Sequence, residues 1–313
     1  MQRRSSLPNI FNLKWTRVVL GSIFYSISKL FKKEIFADLL MERENEMWRA
    51  SDPSFHSPEI CESTVLHHVS NPSEWKCCPL WQRKLTHKLN AKYFCESLGV
   101  KVAKLYWYGI SPNDIPFDEL PEKYVIKTSS GSCSKQVLVI ANGKDLLRNI
   151  TMTSADIISF FSLIKAERRF AESVLIIEEF LENVTTKEIP NDFKLWCFHG
   201  EVKYIQVINR LQRTQIWYTP NWERLTNQIN ISTAIGKQIL KPDNLSDIIN
   251  TGQILCQAYQ MPFVRVDLYN TPKGVYFGEF TPVPWGGKSR KMYTIYANIH
   301  FAKLWKRKNN LFN

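Results

Sequence analysis

Two carboxylates in a predicted β-hairpin over residues 263–281 are the strongest candidates for chemistry in this chain. Polar residues alternate with aliphatic ones along its first strand, which leaves one face for a core and one for a site. The polar members of this strand are Arg265, Asp267 and Tyr269. Glu279 in the return strand would share the face of Asp267 if the connection at 271–274 has an odd length or the hairpin contains a bulge.

This pair of carboxylates suits magnesium. Mg²⁺ favours oxygen ligands and usually takes one or two carboxylates, leaving its other positions to water and substrate phosphates. Asp267 and Glu279 could supply that pair, with the hydroxyl of Thr281 beside them. A second interpretation stays open, in which Asp267 forms an ion pair with Arg265 or another basic neighbour.

A second segment could bind phosphate. A predicted strand over 124–127 ends at Lys127 and runs into a loop rich in serine and glycine. Backbone N–H groups of such a loop can bind phosphate oxygens, while a lysine at its base offers a positive charge. The loop residues expected to do so are Ser130, Gly131 and Ser132. An ordinary hairpin with an exposed tip is the alternative.

Composition restricts the class of protein. The chain has 313 residues, and its 44% hydrophobic and 13% aromatic content excludes wholesale disorder. Seven cysteines without C-x-x-C spacing argue against a disulfide framework or a structural zinc site, and they favour a reducing, cytoplasmic compartment. The net charge of +12 is compatible with nucleic acid, anionic lipid or nucleotide phosphates as partners.

Half of that excess charge falls in residues 1–35, which carry seven basic residues and one acidic residue. Apolar residues recur there at helical spacing, but glycine and serines interrupt them, so a membrane span is not expected. The segment suits either an anionic membrane surface or packing on the protein's own core. Nucleic acid is not an expected partner, because no nucleic-acid-binding motif accompanies the charge. We expect a cytoplasmic protein, with peripheral contact to the inner membrane face as an option.

The elements that must position these residues are helices alternating with antiparallel hairpins. Helices are predicted over 85–98, 154–172 and 245–259. Thr86 is a possible N-cap of the first helix, and Gly99 is a possible stop. A further hairpin turns at residues 199–200 and carries Lys194 on a polar face. This alternation predicts an α+β fold rather than a doubly wound parallel sheet.

Six segments, in this order and spacing, resemble the ATP-grasp superfamily, and most of all its TupA-like branch, typified by a teichuronopeptide-biosynthesis protein. They are T-H-K-L-N-A-K, Y-V-I-K-T-S-S-G-S, I-I-E-E-F-L-E, D-F-K-L-W-C-F-H-G, P-F-V-R-V-D-L-Y and Y-F-G-E-F-T. The resemblance implies an ATP-grasp fold, in which two α+β subdomains sandwich the nucleotide. The helical spacing in residues 1–35 adds an N-terminal helical extension to this fold. We predict four parts: a basic helix over 1–35, a helix and loop region over 36–85, and subdomains over 86–175 and 176–313.

The resemblance also implies roles for individual residues. Lys88 and Lys127 match lysines that contact phosphates, and Arg265 matches a residue beside the transferring phosphate. The hinge strand whose backbone meets the adenine matches Glu178, Glu179, Phe180 and Leu181. Asp267 and Glu279 match the magnesium ligands, and Thr281 replaces the asparagine that usually completes the set. Lys194 and Arg210 are further candidate cations, the latter for an acceptor carboxylate.

The implied activity is that of an ATP- and Mg²⁺-dependent carboxylate–amine ligase that works through an acylphosphate. The expected substrate is a cell-surface polysaccharide precursor or a small peptide. Two alternatives stay open: a phosphotransferase or glycan-modifying transferase on the same fold, and a nucleotide-binding scaffold without turnover.

Overall fold

The structure is a computed structural model. It describes residues 81–129, 135–171, 173–184, 188–225, 229, 233–282, 284, 293–294, 297, 300–301 and 304. The predictions for residues 1–35, for most of 36–85, and for Ser130, Gly131 and Ser132 lie outside these residues.

Two helices come first in the described part of the chain: α1 (Trp81–Lys84) and α2 (Lys88–Ser97). Thr86 is not the N-cap of α2; that position belongs to His87. The reason is tertiary, since the first helical N–H, of Lys88, donates to the carbonyl of Ser129 at 3.2 Å. Gly99 follows the helix with a φ of +73°, as its predicted role as a stop requires.

The first sheet has six strands in the order β1-β6-β2-β3-β4-β5. They are β1 (Leu105–Gly109), β2 (Lys123–Thr128), β3 (Val137–Ala141), β4 (Lys144–Asp145), β5 (Ile150–Thr151) and β6 (Leu175–Glu179). Short 3₁₀ helices occupy Pro112–Asp114, Phe117–Glu119 and Arg168–Phe170. All of its strand pairs are antiparallel.

One face of this sheet is covered by α3 (Ser154–Ala166). A capping box fixes where α3 begins, because Thr153 accepts a hydrogen bond from the N–H of Asp156 and the Asp156 carboxylate accepts one from the N–H of Thr153. Alternate residues of β2 and β3 point into this core, including Ile126 and Leu138, which are fully buried. The opposite parity is therefore available to a site.

The second sheet has the order β10-β9-β8-β7-β11-β12. Its strands are β7 (Asp192–Phe198), β8 (Glu201–Asn209), β9 (Thr214–Tyr218), β10 (Ala234–Ile235), β11 (Phe263–Thr271) and β12 (Gly274–Thr281). Only β10 pairs in parallel among these described strands. The turn between β7 and β8 lies at His199 and Gly200, as predicted, and both residues have positive φ.

Helix α4 (Leu245–Tyr259) packs on one face of the second sheet together with α2, and forms the larger core. The other face carries polar residues at one end. Further along, an aromatic cluster covers it, in which Trp196 stacks on Phe301 with ring centroids 5.0 Å apart. Each sheet thus has a buried apolar face, and at least part of its other face is free for other contacts. The two sheets with their packed helices confirm the predicted α+β class.

The change from one sheet to the other falls between the end of β6 and the start of β7. The segment that follows β6, with Phe180 and Leu181, links them. The predicted division between subdomains at 175/176 stays a prediction; strand β6, which begins at Leu175, pairs within the first sheet.

Candidate functional site

A cleft lies between the free faces of the two sheets and encloses about 930 Å³, open solvent included. Helix α2 and the first sheet contribute the charged residues Lys88, Lys127, Glu178 and Glu179 to its lining. The second sheet and the residue that follows β8 contribute Asp192, Arg210, Asp267 and Glu279. An apolar wall consists of Val125, Val137, Val139, Leu147, Phe180 and Leu181. A pocket with an apolar wall and a few convergent charges is typical of a small-molecule site.

Strand parity brings the first group together. Val125 pairs with Glu178 across β2 and β6, and Lys127 lies two residues further along the same face. Val125 and Lys127 also pair with Val139 and Val137 of β3. The alternation that sends Ile126 into the core therefore turns Val125, Lys127 and Glu178 toward the cleft.

Asp267 and Glu279 face each other directly in the ladder between β11 and β12. The turn closes with Thr271 opposite Gly274, and regular pairing from there would put Gly278 opposite Asp267. A bulge shifts the register by one residue between Asp267 and Leu268, so that Glu279 takes that place. This confirms the prediction that a bulge or an odd connection brings both carboxylates to one face.

Gly278 is the extra residue of the bulge and has no partner in the ladder between β11 and β12. The close packing around it favours a residue without a side chain. A Cβ at this position would lie 2.8 Å from Cε2 of Tyr269 and 3.1 Å from the carbonyl oxygen of Asp267. The first distance is shorter than a Cβ tolerates, and the second would require the backbone of Asp267 to shift by a few tenths of an ångström. The glycine in the return strand thus allows the two carboxylates to meet.

Asp267 is buried and held by two cations. Arg265 donates to both of its oxygens, with Nε–Oδ1 at 2.6 Å and a second nitrogen to Oδ2 at 2.8 Å, and Lys194 also binds Oδ2. The same guanidinium reaches Oε1 of Glu279 at 3.2 Å and the hydroxyl of Thr281 at 2.8 Å. The ion pair that the sequence left open therefore exists, and it includes the second carboxylate.

Glu279 is ionised and partly open to the cleft. Burial opposes its ionisation, but the nearby charges of Lys88, Lys194 and Arg265 outweigh it and lower the pKa of Glu279 to about 2. Its side chain remains 39% exposed. Part of this carboxylate is thus accessible to a ligand entering the cleft.

A second cluster surrounds Glu178. Lys127 and Lys92 both bind this carboxylate, the latter at 3.2 Å. Nearby, Nζ of Lys88 donates to the carbonyl of Ser129 at 3.5 Å. Burial lowers the pKa of Lys88, Glu279 partly opposes this effect, and Lys127 lowers it further. Lys88 of α2 and Lys127 of β2 therefore line the same side of the cleft, with Lys92 behind Glu178.

Arg210 follows the last residue of β8 and forms an ion pair with Asp192, the first residue of β7. Lys194 lies 3.3 Å from the same carboxylate. Asp192 in turn raises the pKa of Tyr269 well above its ordinary value, and burial of the phenol adds to this effect. Alternating charges thus run along the second sheet from Arg210 to Glu279.

Comparison with known proteins gives the family. A family model described as TupA-like ATPgrasp matches residues 76–296, the greater part of the chain. The chain belongs to the TupA-like ATP-grasp family. The family assignment expected from the six segments is therefore confirmed, and the mixed α+β architecture agrees with it.

Solved structures of similar fold include D-alanine–D-alanine ligase from Bacillus anthracis, at 19% identity and a TM-score of 0.47, covering 71% of this chain and 66% of that one. Biotin carboxylase from Campylobacter jejuni has 13% identity and a TM-score of 0.46, covering 75% and 52%. An L-amino acid ligase from Bacillus licheniformis has 12% identity and a TM-score of 0.40, covering 73% and 50%. No curated protein matches the chain.

This ATP-grasp chain spans 66% of the length of the first of these structures, which is less than two thirds. Their likeness concerns the fold alone. In the described part of the chain, no helix is long and apolar enough to cross a membrane.

Most of the predicted residues of this ATP-grasp site lie around this cleft. Nine of them line it: Lys88, Lys127, Glu178, Glu179, Phe180, Leu181, Arg210, and Asp267 and Glu279, which together form one charged patch. Lys194, Arg265 and Thr281 lie behind that patch and bind within it. The side chains of Glu178 and Glu179, expected near the adenine, already form ion pairs. Glu178 binds Lys92 and Lys127, and Glu179 binds Lys273 at 2.8 Å.

Three contributors were missed from the sequence: Lys92, Asp192 and Gly278. Lys92 follows Lys88 by one helical turn, so helical spacing could have paired them. Asp192 shares the parity of Lys194 on β7. No sequence pattern indicates that Gly278 is the bulge, since that depends on which residues the opposite strand presents.

The residues present fit a magnesium ion. Asp267 and Glu279 face each other, and the exposed part of Glu279 gives access from the cleft. Among the described residues, no group of three or more His, Cys, Asp or Glu side chains gathers for a metal. Two carboxylates completed by water and phosphate oxygens would match the usual environment of nucleotide-bound Mg²⁺.

Proposed function

We propose that the protein is an ATP- and Mg²⁺-dependent carboxylate–amine ligase that works through an acylphosphate. The observation that carries the proposal is the pairing of Asp267 and Glu279 in the same cleft as Lys88 and Lys127. Membership of the TupA-like ATP-grasp family supports it. A nucleotide would lie with its base against the apolar wall near Phe180 and its phosphates between the lysines and the two carboxylates.

The reaction has two steps. An oxygen of the donor carboxylate attacks the γ-phosphorus, the bond to the bridging oxygen breaks, and ADP leaves with the bonding electrons. The amine then attacks the acyl carbon, inorganic phosphate leaves, and the amine loses a proton as the amide bond forms. Water must be kept away from the acylphosphate between these steps.

The first step brings anions together, so its barrier depends on nearby positive charge. In this proposal Lys88 and Lys127, which line the cleft, bind phosphates, and Arg265, which contacts Glu279, acts on the transferring group. Bound Mg²⁺, held by Asp267 and Glu279, would supply further charge neutralisation there. Arg210, which lines the cleft, would orient the carboxylate of a substrate, and Lys194 would hold Asp192 and Asp267 in place behind it.

The test is ADP release by the full chain with panels of carboxylate and amine pairs, together with hydroxylamine trapping of the acylphosphate. Asp267→Asn and Glu279→Gln should each lower turnover by about 100-fold or more, since each removes a carboxylate that would hold the magnesium ion, and with it positive charge beside the transferring group. Asp243→Asn, an exposed aspartate outside the cleft, is the matched control and should retain turnover. Unchanged activity in both site variants would refute the proposed metal site.

Hydroxylamine trapping distinguishes the ligase from the two alternative functions. Release of ADP with phosphorylated acceptor and no hydroxamate would indicate a phosphotransferase. Binding of ATP without ADP release across the panel would indicate a scaffold without turnover.

We further propose that the substrate is a cell-surface polysaccharide precursor or a small peptide, as the resemblance to the TupA-like branch implies. The basic residues 1–35 would hold the enzyme at an anionic membrane surface. Co-sedimentation of the full chain with phosphatidylglycerol vesicles, compared with phosphatidylcholine vesicles, tests this part. Equal recovery with both would contradict the membrane contact and leave the ligase proposal intact.

A further inference from the structure

Lys92 is a buried lysine that does not line the cleft. It lies one turn after Lys88 on α2, with its Nζ 3.2 Å from Oε2 of Glu178. The same Nζ donates to the carbonyl of Ala103. These two contacts anchor its ammonium group from behind the site.

Glu178 has a different cation on each oxygen. Oε2 faces Lys92, whereas Oε1 binds Lys127. Burial opposes the ionisation of Glu178, but both lysines outweigh it and lower the pKa of Glu178 to about 2. The carboxylate is therefore a buried anion that needs a permanent counter-ion.

The two lysines differ in their access to the cleft. Lys127 lines the cleft, where the phosphates of a nucleotide would lie. Lys92 is held by a backbone carbonyl outside the cleft lining. When Lys127 turns toward a phosphate, Glu178 loses one of its cations at the moment when further negative charge arrives.

We propose that Lys92 is a positioning residue that remains the counter-ion of Glu178, so that Lys127 can leave this carboxylate for the nucleotide phosphates. The inference rests on the proposed function, since it assumes that phosphates enter the cleft. Without Lys92, binding of a phosphate by Lys127 would leave an uncompensated buried carboxylate beside the phosphate charge. Lys127 would then stay on Glu178, and phosphate affinity would fall.

The experiment measures the affinity of the full chain for Mg²⁺-ADP and for adenosine by isothermal titration calorimetry. Lys92→Met should weaken Mg²⁺-ADP by about ten-fold or more while adenosine binding changes by less than about two-fold. Lys92→Arg keeps the charge and should stay close to the parent protein. Lys165→Met is the matched control, because Lys165 also donates to a backbone carbonyl, that of Ser173, away from the cleft lining.

A double-variant cycle provides the stronger test. In the Glu178→Gln background no buried anion needs a counter-ion, so adding Lys92→Met should change Mg²⁺-ADP affinity by less than about two-fold. The comparison of Glu178→Gln with the double variant does not require the single variant Lys92→Met to fold. A loss of about ten-fold in the Glu178→Gln background, or an equal loss for ADP and adenosine, would show that Lys92 acts only through the fold and would overturn the proposal.

Failure of the proposed function gives a different result. Lys127→Met should weaken Mg²⁺-ADP binding if the cleft is a nucleotide site, whatever Lys92 does. If Lys127→Met has no effect, the nucleotide site itself is wrong, and the role of Lys92 is refuted with it. If Lys127→Met weakens binding and Lys92→Met does not, only the counter-ion role is refuted.

Discussion

Asp267 and Glu279 are directly opposite each other between β11 and β12, although regular pairing from the turn would put Glu279 opposite Val266. The bulge at Gly278 makes the difference, and it turns a carboxylate that would face the core into one that faces the cleft. The candidate metal site therefore depends on a backbone irregularity as much as on its two acids.

Substitution of the bulge glycine tests this dependence. Gly278→Ala should destabilise the protein by about 1–3 kcal/mol, because its Cβ would collide with Tyr269 and the backbone of Asp267. It should also weaken Mg²⁺-dependent ATP binding, since relief of the collision moves Glu279. Urea unfolding and calorimetry measure the two effects. Val275→Ala in the same strand is the control; it loses packing and should leave Mg²⁺-ATP affinity unchanged.

Acid should weaken the fold through Glu178. Its pKa is about 2 in the folded protein, against an ordinary 4.5, so its stabilisation is complete above about pH 4.5 and is lost as the pH falls toward 2. The difference corresponds to about 3 kcal/mol. Glu178→Gln should be less stable at pH 7 and should lose less stability between pH 5 and pH 3. Urea unfolding across that range measures this, with the exposed Glu119→Gln as control. A parallel pH dependence of the parent protein and Glu178→Gln would contradict the prediction.

Helix α4 packs closely against the second sheet. Gly252 of α4 lies against Leu195, and a Cβ there would be 2.2 Å from Cδ2 of that leucine. Gly252→Ala should therefore cost about 1–3 kcal/mol, although alanine favours a helix by roughly 1 kcal/mol. In a Leu195→Ala background the same change should be neutral or stabilising. Asn250→Ala, exposed on the same helix, is the control, and urea unfolding gives all values.

Strand parity explains how much could be predicted from the sequence. The alternation in residues 263–281 identified the polar face, and the order of six segments identified the ATP-grasp family. Parity is a local property, so it does not specify which partner a side chain meets. Lys92 meets Glu178 only because α2 packs beside the first sheet, and Asp192 meets Arg210 across the β7–β8 hairpin. The position of the bulge likewise depends on contacts between strands.

Arg265 links both carboxylates, and its geometry predicts that lysine cannot replace it. One planar guanidinium binds both oxygens of Asp267, one oxygen of Glu279 and the hydroxyl of Thr281. A lysine ammonium has a single nitrogen and cannot span these acceptors. Arg265→Lys should lower kcat by about 10- to 100-fold, because the charge remains but its proposed position beside the transferring phosphate does not.

Thr281→Val is the matched control for Arg265→Lys, because it removes only one of these four hydrogen bonds. It should lower kcat by less than about ten-fold. Steady-state ADP release measures both variants, and urea unfolding at pH 7 shows whether either has lost stability. If Arg265→Lys kept full turnover, the guanidinium would serve only to neutralise Asp267. A loss in Thr281→Val as large as that in Arg265→Lys would instead assign the effect to the hydroxyl.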